Sequence, residues 1–261
     1  MNKHIERLIA TAWAEIGYME KATTSDLDDP KANAGASNYT KYARDLDALG
    51  CYNGKKQGYA WCDVFVDWCF VQTFGDTLAH DMTFQPVGGY GAGCTASAGY
   101  YKTKGRFFTS NPQPGDQIFF TKDGGKSCYH TGLVAKVEGG KVYTVEGNTS
   151  AADGVVDNGV CVRDKSYALT YARIAGYGRP DFSLVPDEEE TEEGGATMKV
   201  YHTLNDIPKV YRPTIQKLME KKALGGFSDP DPTRLDDNLL NLTEDFCRVM
   251  TVLDRLGVLY K

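Results

Sequence analysis

Over the first sixteen residues, Ile5, Leu8, Ile9, Ala12, Trp13 and Ile16 recur at helical spacing, with Glu6, Arg7 and Glu15 between them. That period predicts an amphipathic α-helix. The charges break up any signal-like apolar run, so the segment is expected to stay on the mature protein as part of the fold, with no export address. A second stretch, "WCDVFVDWCF" from Trp61 to Phe70, is apolar around most of a helical circumference. It reads as a buried central helix whose first turn begins at Cys62. After Pro114 the pattern changes to short β-rich runs, "DQIFF", "HTGLVAKV", "KVYTVEGN" and "ARIAGYGRP", separated by glycine-rich turns. Helices first and strands later predict an α+β domain. Between Asp81 and Gly105 the glycines and tyrosines give no clear period, and the segment reads equally as a site-lining stretch or a connecting loop.

The run "DEEETEEGGATMK", Asp187 to Lys199, combines acidic repulsion with two glycines and no apolar cluster. It cannot bury enough surface to offset its ordering entropy, which predicts a linker over 185–199 between domains at 1–184 and 200–261. In the small domain, Pro213 suits a first helical turn followed by Ile215, Leu218, Met219 and Ala223. Thr243 suits the N-cap of a second helix burying Phe246, Val249, Met250 and Leu253. An all-α C-terminal domain is expected.

The net charge of −6 argues against nucleic acid as a partner. No stretch approaches the roughly 18 apolar residues of a membrane span, so no membrane insertion is expected. The seven cysteines form no CxxC pair and are odd in number, which favours free thiols over a disulfide framework.

One of those thiols has partners elsewhere in the chain. A cysteine nucleophile needs a base, and the base needs an orienting group. Of the four histidines, His130 opens a predicted strand, where an imidazole is well held yet accessible. Glu146 and Asn148 on the next strand share one side of the sheet. A two-residue Gly139–Gly140 turn would set Glu146 opposite Leu133, facing away from His130. A three-residue loop of Glu138, Gly139 and Gly140, or a bulge, instead sets Glu146 opposite Gly132 and Asn148 opposite His130. It also gathers Leu133, Ala135, Val137, Tyr143 and Val145 on one apolar face. Cys62, at a helix N-terminus, gains thiolate character from unpaired N–H groups, opposed by Asp63 unless that carboxylate is spent on capping. Cys128 is the rival thiol, without a helix dipole; the other cysteines read as structural. Tyr59, Trp61 and Tyr129 are candidates for a substrate platform or, equally, for aromatic packing. The absence of HExxH disfavours zinc hydrolysis.

The ordered set "WCDVFVDWCF", "PGDQIFF", "HTGLVAKV" and "VEGN" resembles the CHAP domain, the cysteine, histidine-dependent amidohydrolase/peptidase family related to NlpC/P60 and papain-like folds. The resemblance implies N-terminal helices packed on an antiparallel sheet. It implies Cys62 as nucleophile, His130 as general base, Glu146 orienting the imidazole and Asn148 completing the site. It also implies amide cleavage in peptidoglycan, as a muramoyl-L-alanine amidase or a DL-endopeptidase. The oxyanion would meet the Cys62 N–H and a second donor such as Tyr59. "LDDPKANAGASNYTKYARDL" resembles phage and prophage endolysins of clostridial-type hosts, made in the cytoplasm and acting on the wall after release. "LNDIPKVYRPTIQKLMEKKAL" and "LTEDFCRVMTVLDRLGVL" are similar to small helical modules of such lysins, implying wall-polymer binding or homodimerisation. Calcium sites found in some CHAP domains do not carry over, because Asn53, Lys55 and Lys56 occupy that stretch, so no cofactor is expected. An intracellular cysteine amidohydrolase and a binding protein with a decayed site are the competing readings.

Overall fold

A computed structural model describes residues 2–86, 93–185, 200–201, 207, 212–220, 242–243 and 250. The chain divides into two compact units, Met1–Asp187 and Glu188–Lys261. The first opens with helices α1 (Lys3–Ala14), α2 (Lys41–Leu49), α3 (Cys62–Phe74), α4 (Asp76–Thr83) and α5 (Cys94–Thr103). Strands β1 (Phe107–Phe108), β2 (Gln117–Phe120), β3 (His130–Glu138), β4 (Lys141–Thr149), β5 (Cys161–Ala168) and β6 (Ile174–Gly178) follow. They form one antiparallel sheet in the order β1-β6-β2-β3-β4-β5. The α+β expectation holds.

Local chemistry sets the helix ends. Asn2 caps α1 by accepting from the His4 amide at 2.8 Å, and Thr40 caps α2 by accepting from Ala43 at 3.1 Å. Gly50, left-handed at φ 72°, ends α2. On α1 the buried apolar stripe narrows to Leu8 and Ala12, while Trp13 is exposed. From Cys62 to Val71 every residue of α3 is buried. Such a helix is held by packing on all sides. Its Phe65 and Val66 join Leu8, Leu46, Leu133 and Val145 in the main core. The sheet's other face builds a second core from Ile118, Phe120, Val134, Val142, Tyr167 and Tyr177.

The β3–β4 hairpin corrects the expected three-residue loop. Gly139 and Gly140, with φ of 58° and 74°, make a two-residue turn that pairs Glu138 with Lys141 and Val137 with Val142. A bulge between Val134 and Lys136 then shifts the register, so that Leu133 lies opposite Val145. The bulge, the other expected device, therefore brings Glu146 alongside Gly132, where a Cβ on that glycine would lie 2.5 Å from Glu146 Cγ. Because the offset arises inside the strand, Val137 leaves the face of Leu133 and packs with the second core.

In the second unit, α6 (Arg212–Glu220) forms as expected after its proline, with Ile215 and Leu218 buried. Strands β7 (Val200–Tyr201) and β8 (Leu242–Thr243) pair antiparallel, so this unit is not all-α and Thr243 is a strand residue. The acidic linker, Ala223 and most of the helix expected after Thr243 lie outside the described residues.

Candidate active site

Cys62 is the first residue of α3, 4% exposed. Its neighbour Asp63 turns the other way. One carboxylate oxygen accepts from the Gly93 N–H at 2.7 Å and the Ser97 hydroxyl at 2.8 Å, and the other accepts from Gln117 Nε2 at 3.0 Å. Asp63 thus caps α5, a helix with no side-chain cap at its own N-cap residue, and ties α3 to β2. Burial, then Asp67 and Cys62, push its carboxyl pKa well up, against the Ser97 and Gly93 bonds. Replacing Asp63 with alanine strands three donors and is expected to cost about 2–4 kcal/mol, read as a lower Tm in thermal unfolding.

His130 opens β3 and is fully buried, not accessible as its place at a strand start suggested, because the second core covers it with Phe120 at a ring distance of 5.8 Å. Its Nε2 lies 2.9 Å from Glu146 Oε2. Glu146, equally buried, also accepts from Thr144 at 2.6 Å and Tyr167 at 3.2 Å. With Nε2–H donated to the carboxylate, Nδ1 is the ring nitrogen left over, and it is buried without a hydrogen bond. Burial alone would lower the His130 pKa, but the interactions with Cys62 and Glu146 outweigh it and raise it to about 10. The Cys62 thiol is driven well below its ordinary range, foremost by a hydrogen bond from Cys94. Burial opposes this, while the nearby charge of His130 and the Asp63 N–H support it. Both shifts favour a thiolate–imidazolium pair over the neutral one. Glu146→Gln keeps a hydrogen-bond acceptor but removes the charge. It is expected to move the alkaline limb of the activity profile downward and to lower kcat/KM about tenfold.

Asn148 lies on the next strand as expected but serves a different element. Its backbone is left-handed, φ 54°, which takes its side chain out of the strand alternation. Oδ1 accepts from the Trp61 N–H at 3.3 Å, and Nδ2 donates to Gly159 O at 2.7 Å and Asn158 Oδ1 at 3.0 Å. Asn148 therefore fixes the backbone immediately before Cys62. Trp61 is not a surface platform: it is fully buried, its Nε1–H donates to Glu20 at 2.7 Å, and its ring packs on Tyr42 and Tyr18. Tyr59 is 66% exposed. Tyr129 is half-buried, with Lys122 Nζ 4.4 Å from its ring centre. Lys122 and Arg173, which donates to the Tyr129 hydroxyl, also line a groove of about 890 Å³.

The rival Cys128 is buried and its thiol is pushed up by burial, which makes it the poorer nucleophile. The six described cysteines are all free thiols, and Cys247 lies outside the described residues. Sequence reasoning missed Cys94, which stands against Cys62 at an Sγ–Sγ distance of 3.5 Å. Among the described residues, Cys51, Asp76 and His80 bring metal-type ligand atoms within 4.8 Å of one another. The Cys51 thiol donates to Asp76 Oδ1 at 3.4 Å, and His80 Nδ1 bonds the Asp76 carbonyl oxygen at 2.8 Å with Oδ1 3.1 Å away, so hydrogen bonds already account for the cluster.

Residues 54–148 match the CHAP domain family, a stretch that contains Cys62, His130, Glu146 and Asn148. No curated protein matches the chain.

Proposed function

We propose that this protein hydrolyses an amide bond of peptidoglycan, with Cys62 as nucleophile and His130 as acid and base. The observation that carries the reading is the buried His130–Glu146 pair together with Cys62 at a helix N-terminus, within a segment matching the CHAP family. The Cys62 thiolate attacks the amide carbonyl, and the oxyanion forms beside the first N–H groups of α3. Imidazolium at His130 gives its proton to the leaving amine, then takes one from the water that releases the acyl group. Glu146 holds the imidazole in the tautomer this requires. Asn148 holds the α3 start in place.

Muramoyl-L-alanine amidase is the preferred specificity and DL-endopeptidase the second, since both use this machinery. The wider reading is an endolysin that reaches the wall of a Gram-positive, clostridial-type host after release, its C-terminal unit engaging wall polymer. The test is digestion of clostridial peptidoglycan by wild type and Cys62→Ala, with mass spectrometry of the soluble fragments. Free stem peptides beginning with L-alanine, made by wild type alone, support the amidase. Cleaved stems or cross-bridges assign the endopeptidase. No Cys62-dependent release from several wall types overturns the lysin reading in favour of an amidohydrolase with another substrate.

A further inference from the structure

The first turns of α3 and α5 converge, and they begin with Cys62 and Cys94. The two sulfurs are 3.5 Å apart in a packed apolar cluster with Phe119, Tyr101 and Cys128, and Cys94 is 7% exposed. A disulfide needs about 2.05 Å between sulfurs, so the two thiols have about 1.5 Å left to close. We propose that Cys94 is the resolving thiol of an oxidative modification site, closing a disulfide onto Cys62 after a peroxide has oxidised it. This rests on Cys62 being the reactive thiolate of the preceding section but not on which amide it cleaves.

The chemistry balances over two steps. The Cys62 thiolate attacks one peroxide oxygen; an S–O bond forms, the O–O bond breaks, and the departing hydroxide takes a proton from His130 to leave as water. Cys62 is then a sulfenic acid, oxidised by two electrons at the expense of the peroxide. Next the Cys94 sulfur attacks Cys62 Sγ; the S–S bond forms, the S–O bond breaks, and hydroxide leaves as water with the Cys94 proton, relayed by the now neutral His130. Two thiols and one hydrogen peroxide become one disulfide and two waters. Such a bond blocks the nucleophile reversibly, where further oxidation would destroy it. Cys128 belongs to the same cluster, but it is Cys94 whose sulfur touches Cys62.

The test treats the full chain with hydrogen peroxide, traps remaining thiols with N-ethylmaleimide, and maps peptides by mass spectrometry, with fragment release measured in parallel. Wild type is expected to become about 2 Da lighter through a Cys62–Cys94 link, to lose activity at least about tenfold, and to regain it within about twofold on dithiothreitol. Cys94→Ser, and Cys94→Ala as a second variant should the serine not fold, are expected to carry Cys62 to the sulfinic acid, about 32 Da heavier and beyond rescue. Sulfinic acid forming in wild type as fast as in the variants, or a link from Cys62 to Cys128, overturns the proposal. Capture of Cys62 by iodoacetamide without any link to Cys94 overturns this proposal alone. A Cys62 inert to both reagents overturns the nucleophile reading with it.

Discussion

Replacing His130 with glutamine is expected to lower kcat/KM for release of peptidoglycan fragments by about 10²–10⁴-fold, the range a positioned acid–base group supplies. The same variant should return the Cys62 thiol towards its ordinary range, because the nearby imidazolium charge that favours the thiolate is gone. The rate of iodoacetamide alkylation against pH separates the two effects. In wild type, alkylation is already fast at pH values where an ordinary thiol is protonated; in the variant the rise moves to higher pH. Wild-type turnover follows from the same two groups. Activity appears as pH rises through the depressed Cys62 pKa and persists while His130 keeps its proton. It falls as pH passes about 10, where the leaving amine loses its acid. An alkylation profile identical in wild type and His130→Gln would disprove the ion pair.

The second large effect is on stability. Trp61→Ala removes a fully buried indole, leaves buried Glu20 without its Nε1–H donor, and opens space against Tyr18 and Tyr42. A loss of about 3–5 kcal/mol is expected from the cavity alone. Chemical denaturation should show a lower midpoint with little change in slope, and Cys62 reactivity should fall because the residue before it has lost its anchor. A Trp61→Ala protein as stable as wild type would instead return Trp61 to the substrate-platform reading.

Much of this site was legible in sequence because its parts lie in strong local patterns. Cys62 begins an apolar run long enough to be a helix, and His130 and Glu146 sit in runs of β-branched residues bounded by glycines. The requirement that the two polar groups and the apolar residues take opposite faces was enough to demand an offset in the hairpin. Sequence could not say whether turn or bulge would supply it, because Gly139 and Gly140 satisfy a two-residue turn and Ala135 carries no mark of a bulge. β5 escaped notice because it is an edge strand with Arg163, Asp164 and Lys165 at its centre, charges that suit an unpaired edge and hide the alternation. α5 escaped for another reason: Gly93 gives it no cap of its own, and its apolar face is weak. With it went Cys94. The accessible imidazole was misjudged because an apolar residue such as Phe120 declares that it is buried but not what it covers.

The cap that Asp63 places on α5 reaches across thirty residues of chain, and that sets an order of events in folding. A short helix without local capping is a poor nucleus by itself. α5 is expected to gain its Asp63 cap only once α3 has docked, which would bring Cys94 to Cys62 after the main core has closed. During refolding, pulsed alkylation should therefore find Cys69, inside α3, protected before Cys94. Simultaneous protection would show that both helices enter the fold in one step. A chain that assembles in this sequence keeps these two sulfurs apart while it is unfolded, and brings them together only once the surrounding structure makes them unequal, with Cys62 pushed down and Cys94 pushed up.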